Sequence, residues 1–178
     1  MRVLAIPGSL RDGSLNAQLL RLVAEELPGD VDLELLDGLV DIPAFDQDLE
    51  GDVPFAVTRL KDRIARADAI VIATPEYNGS IPGFLKNALD WVSRPAAESP
   101  IRSKPVAVIG ASPGQFGGIW AQGELKKVVG VMGARVLDVE LAVAKAHQRL
   151  DEPDPELAEG LRRVAAALAA QAPALAVA

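Results

Sequence analysis

The sequence predicts an α/β protein in which a parallel sheet of five strands is wound on both faces by helices. Three observations carry this expectation. Short apolar runs occur at residues 3–6, 31–36, 69–73, 106–111 and 136–139, each bounded by Gly, Pro or polar residues. Between these runs, and after the last, apolar residues return every three or four positions, as on one face of a helix. The runs at 69–73 and 106–111 are apolar throughout, which suits strands covered on both sides.

Taken in order, the first strand, 3–6, stops at Pro7-Gly8, and a helix follows through Leu15, Leu19, Leu22 and Val23. The run 31–36 alternates Val31, Leu33 and Leu35 with Asp32 and Glu34, the pattern of an edge strand. Val57, Leu60 and Ile64 place a helix before the strand 69–73, and Phe84, Leu85, Ala88 and Leu89 place another after it. Leu125, Val128, Val129 and Met132 follow the strand 106–111 in the same way. The last helix carries Leu157, Leu161, Val164 and Leu168 on one face, with Pro155 near its start, where a missing N–H costs little.

Strand and helix alternating in this way imply right-handed crossovers, and five of each fit the flavodoxin-like order 2-1-3-4-5. In that order ligands sit beyond the carboxyl ends of strands 1 and 3, where the winding reverses. The loops 7–15 and 74–81, with 111–119 beside them, are therefore the places to look for a site. The segment 37–54 is the only long irregular connection before the tail and holds five Asp and one Glu. It reads as a solvated crossover loop; the alternatives are a rim, a lid or part of a subunit contact.

A chain of 178 residues suits a single domain spanning 1–178. A net charge of −7 and a pI of about 4.7 argue against nucleic-acid binding, which needs clustered cations. With no Cys and His147 alone, disulfides, iron–sulfur clusters, thiol chemistry and the usual zinc sites drop out, so a redox role requires a borrowed cofactor and no metal is expected. His147 lies in a polar stretch and receives no role. The opening apolar run is too short for a signal peptide, and none approaches the roughly 20 residues of a membrane span. A cytoplasmic location without a membrane partner is expected.

The first loop reads Pro7-Gly8-Ser9-Leu10-Arg11-Asp12-Gly13-Ser14-Leu15-Asn16 and leads from a strand into a helix. Helix N-terminal N–H groups point at an anion, glycines permit close approach, and Ser and Asn side chains add hydrogen bonds. Arg11 can add a charge-assisted contact to phosphate oxygens. The plainer reading has Ser14 or Asn16 capping the helix and Arg11 in solvent. Gly8 and Gly13 are spaced as in a Walker A loop, but Ser14-Leu15 stands where Lys-Ser or Lys-Thr belongs. The dinucleotide fingerprint is also missing, so one terminal phosphate suits this loop better than a pyrophosphate.

The second loop, Thr74-Pro75-Glu76-Tyr77-Asn78-Gly79-Ser80-Ile81-Pro82, sets an Asn-Gly turn signal between two prolines. Held stiffly, it can offer backbone donors and an aromatic wall to a planar ring, or simply turn the chain into the next helix. The third, Ser112-Pro113-Gly114-Gln115-Phe116-Gly117-Gly118, brings three glycines close together, for approach to a ligand or to another backbone. Phe116 belongs either beside the ring or in a core or interface.

With these loops, the run Leu85-Lys86-Asn87-Ala88-Leu89-Asp90-Trp91 followed by Ser93-Arg94 completes a pattern. Over about residues 2–145 the chain resembles the NADPH-dependent FMN reductase family, which includes bacterial quinone, azo-dye and chromate reductases of flavodoxin-like fold. The resemblance implies that Ser9, Arg11, Ser14 and Asn16 hold the phosphate of FMN, with Leu15 at the same helix start. It implies that Pro75, Glu76, Tyr77, Asn78 and Gly79 line the isoalloxazine ring and that Ser112, Gly114 and Gly117 border its other side. It further implies a homodimer or homotetramer, with the helix at 82–93 and Arg94 near subunit contacts and the flavin. From their spacing alone, Lys86, Asp90 and Arg94 suit surface ion pairs.

The activity so implied is that of an FMN-dependent oxidoreductase that takes a hydride from NADPH or NADH and passes electrons to a quinone, azo compound, free flavin or chromate. No side-chain nucleophile or general base is required, and no Ser-His-Asp arrangement, Cys or paired carboxylate is found in these loops. A flavodoxin-type electron carrier is the alternative. Against it stands Arg11, since such carriers resemble one another in a Thr/Ser-rich phosphate loop without that Arg. A phosphate-binding enzyme without flavin shares the architecture but lacks its lysine here, and a flavin-dependent regulatory member without turnover suits every residue quoted.

Overall fold

A computed structural model describes residues 1–171. Its strands are β1 (Arg2–Pro7), β2 (Asp32–Leu35), β3 (Ala69–Ala73), β4 (Pro105–Ala111), β5 (Arg135–Val136) and β6 (Ala142–Val143). Its helices are α1 (Leu15–Glu25), α2 (Phe55–Arg66), α3 (Gly83–Val92), α4 (Ile119–Val131), α5 (Ala146–Arg149) and α6 (Pro155–Ala169). The strands pair in parallel in the order β2-β1-β3-β4-β5, as the sequence predicts for the flavodoxin-like fold. Val3 sits between Leu33 and Ala69, which fixes the register at the centre of the sheet.

Side chains alternate across a strand, so each central strand feeds two cores. Val3, Ala5, Val71 and Ile109 pack on one face beneath Leu19, Leu20 and Val23 of α1 and Leu161, Val164 and Leu168 of α6. Leu4, Ile6, Ile70, Ile72 and Val108 pack on the other, beneath Leu60 and Ile64 of α2, Leu85 and Leu89 of α3, and Leu125 and Val129 of α4. Each such Leu, Ile or Val contributes about 1.5–3 kcal/mol when fully buried, and the two layers hold the strand ends in fixed positions. Every residue of β3 and β4 is buried, whereas β2 alternates exposed and half-buried residues, as an edge strand does.

The fifth strand departs from the expectation of one run at 136–139. It is split into β5 and β6, and both halves pair with β4. From Val106 to Gly110 β4 advances by four residues, while the partner advances by six from Val136 to Ala142. The excess is taken up where the Val139 N–H bonds back to the Leu137 carbonyl at 2.9 Å, a tight three-residue turn. Leu137, Val139 and Leu141 all remain buried in the α1/α6 core. A Cβ at Gly160 would lie 2.7 Å from Leu141 Cδ1, so α6 meets the bulge through a residue without a side chain. The short helix α5, which the apolar periodicity does not signal, turns the chain from β6 toward α6.

The segment 37–54 contains two single 3₁₀ turns and is strapped to α3. The Asn87 amide accepts from the Phe45 N–H at 2.7 Å and donates to the Pro43 carbonyl at 2.8 Å. Trp91 Nε1 donates to the same carbonyl at 2.9 Å, and its ring meets that of Phe45 edge-on at 5.0 Å. This connection is thus more than a solvated loop.

Candidate functional site

The carboxyl ends of β1, β3 and β4 open on a cleft of about 160 Å³. Three loops line it. Ser9, Arg11, Ser14, Leu15 and Asn16 come from the first, Pro75, Glu76 and Tyr77 from the second, and Ala111, Ser112 and Pro113 from the end of β4 and beyond. Nine of the residues expected from the sequence meet here; Asn78, Gly79, Gly114 and Gly117 lie outside the lining. Ala111 and Pro113 are additions. Their only sequence signal is position, at and just after the end of the fourth apolar run.

At one end the cleft meets the start of α1. Ser14 caps this helix, its Oγ accepting from the Ala17 N–H at 3.1 Å, which leaves the hydroxyl hydrogen able to donate. The N–H groups of Leu15 and Asn16 belong to the first turn and have no partner within the helix. No acidic residue occupies that turn, so nothing there opposes an anion. Arg11 is exposed, its N–H approaches Ser9 Oγ at 3.4 Å, and its guanidinium makes no ion pair among the described residues. Gly8 is needed for a backbone contact: its N–H donates to the Ala73 carbonyl at 2.7 Å, and a Cβ would come to 3.0 Å from that same oxygen.

Asn16 is largely committed elsewhere. Its Oδ1 accepts from the Ala111 N–H and its Nδ2 donates to the Ala111 carbonyl, each at 2.9 Å, so one amide hydrogen is left for the cleft.

The second loop is a miniature hairpin. Tyr77 and Ser80 exchange backbone hydrogen bonds of 2.9 and 3.1 Å across Asn78 and Gly79. Those two residues have φ of 54° and 75°, the paired left-handed conformations of a type I′ turn that Asn-Gly favours. They form the exposed tip, outside the lining of the cleft. Glu76 ties the loop down: its Oε2 accepts from the N–H groups of Trp120 and Ala121 at 3.0 and 3.1 Å, capping α4. The N-cap residue of α4 is Gly118, which has no side chain to do this. One carboxylate thereby has its charge directed to a helix N-terminus rather than into the cleft.

In the third loop the glycines meet backbone. A Cβ on Gly117 would stand 2.5 Å from the carbonyl carbon of Ala142, so this glycine lets the loop cross β6. Gly114 accepts from the Lys145 N–H at 2.8 Å, and its own N–H donates to Ser112 Oγ at 3.1 Å. Phe116 belongs to no core; it is exposed and packs edge-on against Trp120.

The motif on α3 divides by face. Lys86 and Asp90 form the ion pair that their spacing suggests, at 2.6 Å. Asn87 and Trp91 hold the 43–45 strap, and Arg94 sits 6.0 Å from the centre of the Phe45 ring.

Comparison with known proteins places the chain in a family. The family model described as NADPH-dependent FMN reductase matches residues 1–148. The chain is 36% identical over 164 residues to a 2-hydroxy-1,4-benzoquinone reductase from a Burkholderia species, covering 92% of this chain and 89% of that protein. It is 40% identical over 153 residues to an NAD(P)H-dependent FMN reductase of Pseudomonas aeruginosa, covering 85% and 82%. Among solved structures, FerB, a flavoenzyme NAD(P)H:acceptor oxidoreductase from Paracoccus denitrificans, superposes with a TM-score of 0.84 at 36% identity, over 96% of both chains. The open helix start, the three-loop cleft at the winding reversal and these matches lead to one conclusion: the chain belongs to the NADPH-dependent FMN reductase family.

Proposed function

We propose that the cleft binds FMN with its phosphate at the start of α1 and its ring between the second and third loops, and that the protein is an NAD(P)H-dependent oxidoreductase reducing a small acceptor such as a quinone. The observation that carries this reading is the convergence of the unpartnered Leu15 and Asn16 N–H groups, the Ser9 and Ser14 hydroxyls and the Arg11 guanidinium at one end of the cleft. That donor set fits a phosphate dianion. Pro75 and Tyr77 on one side and Ser112 and Pro113 on the other fit the borders of a flat ring.

When bound, FMN supplies hydride acceptance from the nicotinamide and onward electron transfer. The overall change converts NADPH, one proton and a quinone into NADP⁺ and the hydroquinone. The chain's own part is to hold and exclude. Arg11 and α1 fix the phosphate, Glu76 keeps the second loop in place through α4, and Asn16 ties α1 to the end of β4. Asn78, Gly79, Gly114 and Gly117 act through loop shape. A purified, FMN-loaded sample should oxidise NADPH or NADH with a quinone and no partner protein. Flavin-loaded protein that oxidises neither nicotinamide overturns this reading.

In this reading the chain is one domain that works in the cytoplasm, with residues 172–178 of the expected span lying outside the described residues; among the described residues no helix is long and apolar enough to cross a membrane. It assembles as a homodimer or homotetramer through the α3–α4 flank. There a hollow of about 350 Å³ is lined by Lys86, Asp90, Arg94 and Lys127, beside the exposed Val131. Sedimentation at working concentration checks this, and a monomer refutes it.

A further inference from the structure

We propose that Phe116 and Trp120 form the seat for a planar, uncharged aromatic acceptor at the lip of the cleft, and so set which acceptors the enzyme prefers. The inference rests on the function proposed above and adds residues that lie outside the cleft lining. The two rings pack with centroids 4.8 Å apart and planes inclined at 63°. Phe116 is 56% exposed and Trp120 52%, so much of each ring meets water. A contiguous apolar patch left in solvent, unlike a single exposed side chain, is the kind of surface that marks a binding site.

Continuity with the cleft comes from Glu76. This residue lines the cleft and also accepts from the Trp120 N–H at 3.0 Å, and a Cβ on Gly118 would lie 3.7 Å from Glu76 Cβ. Phe116 follows Ser112 and Pro113, which line the cleft as well. The pair therefore stands where the second and third loops are joined through Glu76, whose chain neighbour Tyr77 is itself exposed.

Charge selects the occupant. The segment 112–123 carries no charged side chain, and the one carboxylate that reaches it, Glu76, is held by two backbone N–H groups. A nicotinamide dinucleotide or an oxyanion finds no cation on this stretch, and the chain's net charge of −7 opposes its approach. A neutral ring system can stack on both aromatics without desolvating a charge.

Two measurements test the seat. The chain has two tryptophans, and Trp91 is fully buried, so a ligand on the seat should quench mainly Trp120. Titrating FMN-loaded protein with 1,4-naphthoquinone, with no nicotinamide present, should quench Trp emission along a saturable curve, and Trp120→Phe should remove most of the saturable part. In steady state, Phe116→Ala and Trp120→Ala should each raise KM for 1,4-naphthoquinone by about threefold to tenfold and lower the ratio of naphthoquinone to ferricyanide kcat/KM. Linear quenching together with an unmoved KM in both variants overturns the proposal. So does a change in sedimentation mass with KM unmoved, which would assign the patch to a contact between copies. A wild-type protein without turnover refutes the function proposed above, whereas the quenching titration reads the seat without turnover.

Discussion

The side chain of Asn16 bonds both backbone polar groups of Ala111, accepting from its N–H and donating to its carbonyl at 2.9 Å each. Ninety-five residues separate the two, and both are buried. Asn16→Ala removes two hydrogen bonds and leaves a buried donor and acceptor without partners, each costing about 1–3 kcal/mol. We expect a loss of about 2–4 kcal/mol in urea unfolding of the FMN-free protein. An unchanged midpoint would mean that Asn16 serves the ligand rather than the fold.

Arg11 behaves in the opposite way. It is exposed and its guanidinium has no partner among the described residues, so Arg11→Ala should shift urea stability without FMN by less than about 0.5 kcal/mol. Losing a charge-assisted phosphate contact should weaken FMN binding by about tenfold to a hundredfold in a flavin fluorescence titration. Equal affinity in the two proteins would remove Arg11 from the phosphate site.

These two residues show what the sequence discloses and what it hides. The apolar runs of β3 and β4 and the Asn78-Gly79 turn were legible because local pattern and backbone preference determine them. Arg11 and Ser14 were legible as neighbours in a loop between strand and helix. The Asn16 grip on Ala111 was not, nor was the Glu76 cap on α4, because their partners lie 95 residues away in the first case and 44 and 45 in the second. The split of the fifth strand was hidden for a similar reason. Leu137, Val139 and Leu141 give the same alternation with or without a bulge, and the close approach of Leu141 to Gly160 on α6 is a contact between residues distant in the chain.

Glu76 offers a direct check on its cap. Glu76→Ala leaves the Trp120 and Ala121 N–H groups without an acceptor and should cost about 0.5–2 kcal/mol. Amide hydrogen exchange should speed up at residues 120 and 121 before it changes in the centre of the sheet. Protection that stays unchanged at both amides would show that solvent or another group caps α4.

Gly114 and Gly117 are close in sequence and differ in surroundings. At Gly117, φ is +60° and a Cβ would stand 2.5 Å from the Ala142 backbone, so Gly117→Ala should cost about 3 kcal/mol or more or yield no soluble protein. At Gly114 the nearest atom to a Cβ is Ser112 Oγ at 3.4 Å, and Gly114→Ala should fall within about 0.5 kcal/mol of wild type. Thermal melts of the pair decide whether the glycines of this loop serve backbone crossing; equal melting temperatures would contradict it.

Asp154 gives the fold an acid-sensitive joint. Its carboxylate receives the Arg149 guanidinium at 2.7 and 2.9 Å and the Leu157 N–H at 2.9 Å, capping α6. The Arg149 hydrogen bond, followed by the Leu157 N–H, holds its pKa down from the ordinary 3.8 to about 2. A pKa lowered on folding stabilises the fold above the unfolded value, and that contribution drains away as pH falls from about 4 through about 2. Carboxyl carbon NMR should place the Asp154 midpoint near the lower figure, and Arg149→Ala should move it back toward the ordinary range. Because α6 covers β3 and β4 from one face, loss of this cap should loosen α6 first, and its amide protection should fall in that window before that of α4 on the opposite face. Simultaneous loss across both faces would show that the joint does not govern α6 by itself.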